Sequence, residues 1–210
     1  MTDQQARNRL PAASRKAQIM KVAADLFATR AYEETSMEAI ARQVGIRKAS
    51  LYYYFSSKDD LLAQMHQERL EPIIHAHQRR VDDGDLDPRG LLLAMMSDLV
   101  SLMELHPGHL RVLFEYYREL PEPARVNSSE LRDRYRRMLV DVLDRGVAEG
   151  VFRIADTNLT GLAILGMCSS TYQWFRPAGE RTAAQVAQYF YDIVINGIDS
   201  AASTPTNTPS

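Results

Sequence analysis

Between Thr35 and Leu62 the chain reads TSMEAIARQVGIRKASLYYYFSSKDDLL, a stretch that admits few structures: two short helices around a tight turn, the second rich in tyrosine. Thr35 followed by Glu38 has capping-box spacing and predicts a helix that carries Met37, Ile40, Ala41 and Val44 inward at i, i+3, i+4 and i+7. Gly45 ends that helix, since a glycine takes the left-handed conformation that lets the chain reverse within about four residues. The next helix, from about Lys48 to Tyr54, is too short to stand alone and is held only if Leu51 and Phe55 pack on its neighbours. Arg47, Lys48, Ser50, Tyr52, Tyr53 and Tyr54 are then left to face outward, the arrangement expected of a helix-turn-helix DNA reader. Ser57 is placed to cap a further helix, with Asp60 at its third position.

Charge supports this unevenly. The chain carries a net charge of -2, but residues 1–60 hold ten Lys/Arg against seven Asp/Glu, and residues 61–210 hold fifteen against twenty. The N-terminal part is therefore locally basic, through Arg7, Arg9, Arg15, Lys16, Lys21, Arg42, Arg47, Lys48 and Lys58. Three excess charges are a modest field, and the motif carries more of the argument than the charge does.

The segment from about Ile19 to Leu62 resembles the DNA-binding domain of the TetR family of bacterial transcriptional repressors. Phe27, Tyr32, Thr35, Ile40, Ala41, Gly45, Leu51, Tyr52, Phe55, Lys58 and Leu61 carry the resemblance at the family's spacing. It implies DNA contacts from Thr35, Ser36, Arg47, Lys48, Ser50, Tyr52, Tyr53 and Lys58. One position departs from the pattern: Arg47 stands where the family usually has Ser or Thr as the cap of the recognition helix. Losing such a cap costs around 1 kcal/mol, and a cation also opposes the positive end of the helix dipole. Arg47 thus has no structural benefit to offer, which favours contact with phosphate or a guanine edge over a merely solvated side chain.

Beyond Leu62 the pattern is helical throughout, with no strand and no internal repeat. The helix opened by Ser57 is expected to reach about Arg80, with Pro72 inside it as a kink. Asp87-Pro88 opens the next, which runs to His106 and is broken by Pro107-Gly108. A helix from about His109 to Glu119 stops at Pro121-Glu122-Pro123. Asn127 with Glu130 opens a long one ending near Gly150, Asp156 or Thr157 opens another reaching Phe175, and Thr182 with Gln185 forms a last capping box for a helix to about Gly197. The expectation is an all-α protein of about nine helices, an N-terminal three-helix helix-turn-helix domain plus a C-terminal helical ligand-binding and dimerisation domain. Its parts are a flexible arm over 1–14, the DNA-binding domain over 15–57, the second domain over 58–200 and a disordered tail over 201–210.

In the second domain the final two helices are candidates for a homodimer interface. Leu162, Gly166 and Ser170 on one, with Val186, Phe190 and Val194 on the other, put small and apolar residues on stripes suited to a four-helix packing across a two-fold axis, although an intrachain core explains such stripes as well. Family members read palindromic operators as dimers, which favours the interface. The middle helices are rich in soft and aromatic side chains: Met65, Met103, Phe114, Tyr117, Tyr135, Met138, Met167 and Trp174 suit an adaptable apolar cavity for a small hydrophobic effector, and each alone suits ordinary packing.

A narrower resemblance covers about Leu131 to Gly197, where the Trp174–Gly179 turn, WFRPAG, is similar to TetR-type repressors of lipid and steroid catabolism, several of which sense acyl-coenzyme A thioesters. Phosphates of such an effector need cations, and Arg132, Arg136 and Arg176 lie in the appropriate half of the chain. Asp133, Asp141 and Asp144 can instead pair with neighbouring arginines on a solvated face. A plain sterol or drug therefore stands beside acyl-CoA as the effector class.

The remaining features exclude more than they add. Cys168 is the single cysteine, so no intrachain disulfide forms. No leader or membrane-spanning run is recognisable, and the expected location is cytoplasmic. The five histidines form no tight ligand cluster. No G-x-S-x-G, H-E-x-x-H, Walker or G-x-G-x-x-G motif is present, so neither a catalytic site, a metal nor a cofactor is implied. The rival reading is a helical ligand-binding protein, or an enzyme acting on a hydrophobic small molecule, without DNA regulation.

Overall fold

The computed structural model describes residues 11–30, 32–105, 115–116, 122–176 and 179–198. Among them are eight helices and no extended strand: α1 Ala12–Thr29, α2 Met37–Val44, α3 Lys48–Tyr54, α4 Lys58–Asp83, α5 Pro88–Leu105, α6 Glu122–Ala148, α7 Thr157–Trp174 and α8 Ala183–Ile198. The helix expected over His109–Glu119 falls almost wholly outside the described residues, as do Arg7, Arg9 and the tail. The chain forms two compact units, Met1–Gln67 with Gly108–Asn127, and Glu68–Pro107 with Ser128–Ser210. Two of the three boundaries between them fall inside α4 and α6.

The first unit closes around one apolar cluster. Ile19, Met20, Ala23, Ala24 and Phe27 of α1 meet Ile40, Ala41 and Val44 of α2, Leu51 of α3, and Phe55, Leu61, Leu62 and Met65. α3 has only seven residues, and complete burial of Leu51 and Phe55 holds it in place. Each contributes on the order of 1.5–3 kcal/mol.

Helix ends follow the sequence with informative exceptions. α2 is capped by Ser36, whose Oγ accepts from the Ala39 amide at 3.1 Å, and not by Thr35. Either hydroxyl could cap, but Thr35 is 1 % exposed and belongs to the interior. Glu38 therefore lies in the first turn and pairs with Arg42 at 3.6 Å rather than closing a box. Gly45, at φ 78°, ends the helix, and the Ile46 amide reaches back to the Ala41 carbonyl at 3.0 Å. Ser57 caps α4 through the Asp60 amide at 3.0 Å. Asp156 caps α7, and Thr182 and Gln185 exchange both bonds of a capping box before α8, at 2.9 and 3.2 Å.

α1 begins at Ala12, so part of the expected arm is helical. α6 begins at Glu122, five residues before the expected cap at Asn127. Pro123 does not prevent this, because the first turn of a helix uses no backbone N–H at that position.

In the second unit α5 packs against both α7 and α8. Arg80 of α4 holds Asp98 of α5 in a two-pronged ion pair, Nη1–Oδ2 2.5 Å and Nη2–Oδ1 3.1 Å. The Tyr135 hydroxyl of α6 donates to the Met95 carbonyl at 3.1 Å, and burial pushes that phenol well above its ordinary pKa. Gly146 is obligatory: a Cβ there would lie 2.1 Å from the Phe152 ring.

Candidate functional site

The first candidate surface is the outer side of α3. Arg47, Lys48, Ser50, Tyr52 and Tyr53 are all exposed, with Tyr53 83 % accessible, while Tyr54 is half-buried. Ser36 is also exposed at the start of α2. The backbone of Arg47 precedes α3 in extended conformation, and its side chain makes no capping bond. The surface therefore offers two cations, two phenols and two hydroxyls at a helix of a length that a DNA major groove admits.

Two sequence-derived contacts sit differently. Thr35 is interior, so its side chain is not on this surface. Lys58 is half-buried: its Nζ donates to the Tyr32 carbonyl at 2.7 Å and lies 4.0 Å from the centre of the Tyr32 ring. The same tyrosine bonds Asp59 through its hydroxyl and packs its ring against Phe27 and Tyr116. Lys58 thus fastens the start of α4 to the chain between α1 and α2.

Asp60 adds to this corner by accepting from the Ser56 amide and hydroxyl and from Gln64. Burial pushes its carboxyl up, but the bonds from Gln64 and Ser56, with Lys16 nearby, bring it below the usual carboxylate value.

The expected effector residues that are described lie in different settings. Met65 is a core residue of the first unit, 2 % exposed, and is withdrawn from the cavity-lining set. Phe114, Tyr117 and the Met103 side chain lie outside the described residues. Met167 is half-buried and Trp174 is 48 % exposed, with edge contacts to Phe175 and Phe190 at 6.4 and 6.2 Å.

Arg136 is held beside Asp133 at 3.7 Å and Asn158 at 3.3 Å, and Arg132 is half-buried on the same helix. The exposed Arg176 bonds the neighbouring Phe175 carbonyl, and its own carbonyl accepts from Gly179 at 2.8 Å to close the turn.

A cavity of about 190 Å³ forms in the second unit, lined by His77, Gln78, Val81, Leu91, Met138, Asp141, Val142 and Arg145. Of the sequence-derived set it takes only Met138. His77 is 1 % exposed, and its Nδ1 is buried with no hydrogen-bond partner among the described residues. The sequence did carry a signal for it: His77 continues the stripe of Leu70, Ile73, Ile74 and Val81 along α4, and a histidine on an apolar stripe is enclosed by whatever covers that stripe.

The dimer candidates divide. Leu162 is 53 % exposed, Gly166 is exposed and Ser170 is half-buried. Val186 and Val194, in contrast, are buried within the single chain at 6 and 9 % exposure, on the stripe of α8 shared with Ala183 and Ala187. They are intrachain core. α8 carries apolar residues on more than one side of a polar stripe through Gln185, Gln188 and Asp192, and only packing reveals that Tyr189 and Ile193, 63 and 51 % exposed, occupy its outer side with Phe190 half-buried.

These features define a helix-turn-helix regulator with a separate helical unit, and the comparisons with known proteins agree. Residues 19–65 match the model of bacterial regulatory proteins of the tetR family, and residues 85–198 match that of the tetracyclin repressor-like C-terminal domain. The chain belongs to the TetR family of transcriptional regulators, and is not an enzyme. It is 30 % identical to the HTH-type transcriptional repressor KstR2 of Mycobacterium tuberculosis, over 88 % of this chain and 93 % of that one.

The solved structure of that ketosteroid regulator superposes with a TM-score of 0.80 at 29 % identity, covering 90 % of this chain and 97 % of the other. PfmR of Thermus thermophilus gives 0.79 at 31 % identity, covering 85 and 97 %. AibR, solved with isovaleryl coenzyme A and operator DNA, gives 0.75 at 25 % identity, covering 85 and 97 %. A fatty acid metabolism regulator protein of Bacillus subtilis is 21 % identical over 86 % of this chain and 94 % of that one. Among the described residues no helix is long and apolar enough to cross a membrane, and no group of His, Cys, Asp and Glu is arranged to hold a metal ion.

Proposed function

We propose that this regulator is a homodimeric repressor that reads a palindromic operator in the cytoplasm and leaves it on binding a small hydrophobic effector, with acyl-CoA thioesters the first class to test. The observation that carries the reading is the outer side of α3, where Arg47, Lys48, Ser50, Tyr52 and Tyr53 stand exposed above a closed apolar core. Lys48 and Arg47 neutralise phosphate or read a guanine edge, and the phenols contact backbone and base. Ser36 joins them from α2, and Lys58 supports them by fixing the start of α4.

A single such helix holds DNA weakly, whereas two helices spaced by about one DNA turn, roughly 34 Å, enter successive major grooves. The exposed Leu159, Leu162, Gly166, Tyr189 and Ile193 of α7 and α8 supply an apolar surface for the second copy. Effector binding in the second unit would bias α4, which belongs to both units, and compete with operator through a coupling of typically 1–3 kcal/mol.

The relation to AibR, whose solved complex contains isovaleryl coenzyme A and operator DNA, supports acyl-CoA, and the relation to KstR2 supports a steroid-derived acyl group. Titrating operator complexes with CoA thioesters and with the matching free acids tests this. Release by the thioester, with affinity falling as salt rises, is expected, because phosphates held by arginines such as Arg132, Arg136 or Arg176 are screened by salt. Release by the free acid alone excludes the CoA class.

A further inference from the structure

We propose that the cavity at His77 binds the hydroxyl end of a small, uncharged, mostly apolar molecule, with the imidazole Nδ1 as its hydrogen-bond partner. The inference rests on the reading of the second unit as the effector-binding part, and it assigns a position and a ligand chemistry within it. Three observations meet there. The cavity holds about 190 Å³, and Val81, Leu91, Met138 and Val142 give it apolar walls from α4, α5 and α6. His77 lines it, is almost wholly buried, and has an Nδ1 that no described group satisfies. Leaving a buried polar atom without a partner is unfavourable, so an occupant that bonds it gains affinity that a hydrocarbon does not.

The choice of a hydroxyl follows from the chemistry of imidazole. Burial and the Arg80 cation hold His77 below its ordinary pKa against the opposing pull of Asp98 and Asp141, so the ring is neutral at pH 7. A neutral ring presents either a lone pair or an N–H at Nδ1 according to tautomer, and a hydroxyl answers both because it donates and accepts. A carboxylate answers only one, and would enter apolar walls beside Asp141. Arg145 offers it little compensation, since its guanidinium already bonds Glu149 at 2.7 Å.

The test uses the full-length protein and the pair 1-naphthol and naphthalene, matched in shape and differing in the hydroxyl. Calorimetric titration is expected to give roughly fivefold to tenfold tighter binding of 1-naphthol, the equivalent of one hydrogen bond. His77→Leu is expected to keep naphthalene and lose the preference, and the His77 Nδ1 nitrogen resonance is expected to shift on adding 1-naphthol to the wild type. Val142→Trp, which fills the cavity, should abolish both without touching the histidine.

Equal affinity for the two probes, an unmoved Nδ1 resonance, or a preference that survives in His77→Leu overturns the proposal, as does failure of both probes to bind. Operator release by a CoA thioester alongside any of those results leaves the effector-binding reading standing and removes only the His77 site. If His77→Leu does not fold, the resonance shift and Val142→Trp still decide.

Discussion

Lys58 places its ammonium 4.0 Å from the centre of the Tyr32 ring and donates to the carbonyl of the same residue at 2.7 Å. A side chain that the motif offers as a phosphate contact is thereby a brace across 26 residues, joining the start of α4 to the chain ahead of α2. A cation over an aromatic face contributes about 0.5–1 kcal/mol and a hydrogen bond from a charged donor about 1.5–3 kcal/mol. Lys58→Met should therefore destabilise the protein by roughly 1–3 kcal/mol in urea melts. Because the ammonium is already engaged, the slope of log K against log salt for operator binding should barely change, whereas Lys48→Ala should reduce it by about 0.9. A reduction of about 0.9 in Lys58→Met as well would show that the lysine leaves Tyr32 for phosphate.

Arg47 precedes α3 without a capping bond. Arg47→Ser should supply the missing acceptor and raise stability by roughly 0.5–1 kcal/mol, since Ser is a preferred N-cap. It should also weaken operator binding or relax its sequence preference. Competition between specific and nonspecific duplexes measures this, and a variant that is more stable and equally specific would remove Arg47 from the interface.

How far the sequence foretold these features depends on which atoms enforce them. Gly45, Asp156 and the Thr182–Gln185 pair were legible because each acts on backbone within a few residues of itself. Ser36 displaced Thr35 as cap because the choice between adjacent hydroxyls rests on burial of Thr35, a tertiary fact. Met65 looked like a cavity residue and proved to be core of the first unit, since a methionine stripe does not say what covers it. The same ambiguity hid Val186 and Val194, which lie on an α8 with two apolar sides. The cavity at His77 draws on three helices, and no local spacing announces it.

Protonation of His77 should cost stability. Its pKa lies below the ordinary 6.5 because burial and then Arg80 disfavour the cation, with Asp98 and Asp141 opposing them. The unfolded chain thus binds the proton more readily, so stability is complete above about pH 6.5 and falls as pH drops through the window between 6.5 and the folded value. His77→Leu should flatten that window relative to wild type in melts at pH 5 to 7.5, roughly the range where histidines titrate. An identical pH profile in the variant would mean that other groups dominate.

The Cys168 thiol, buried within α7, is pushed up to about 12 by desolvation. Since the thiolate is the reactive form, an aromatic disulfide reagent at pH 8 should leave the folded protein unmodified and react fully once guanidinium unfolds it. Rapid labelling of the native protein would place Cys168 in an open environment.

The outer and inner sides of α8 should answer differently to the same substitution. Ile193 is 51 % exposed in the single chain, whereas Val194 is 9 % exposed and packed inside it. If α7 and α8 pair with a second copy, Ile193→Asp puts a charge into an apolar interface, which costs several kcal/mol without a partner, yet it leaves the interior of each chain untouched. That variant should sediment as a monomer and still melt cooperatively. Leu162→Asp, from the exposed side of α7, should do the same. Val194→Asp should instead lower the melting temperature or prevent folding, because its charge enters the intrachain core. Ile193→Asp and Leu162→Asp proteins that remain dimers at micromolar concentration would place the interface on another surface, and the palindromic operator would then have to be read through a different arrangement of the two copies.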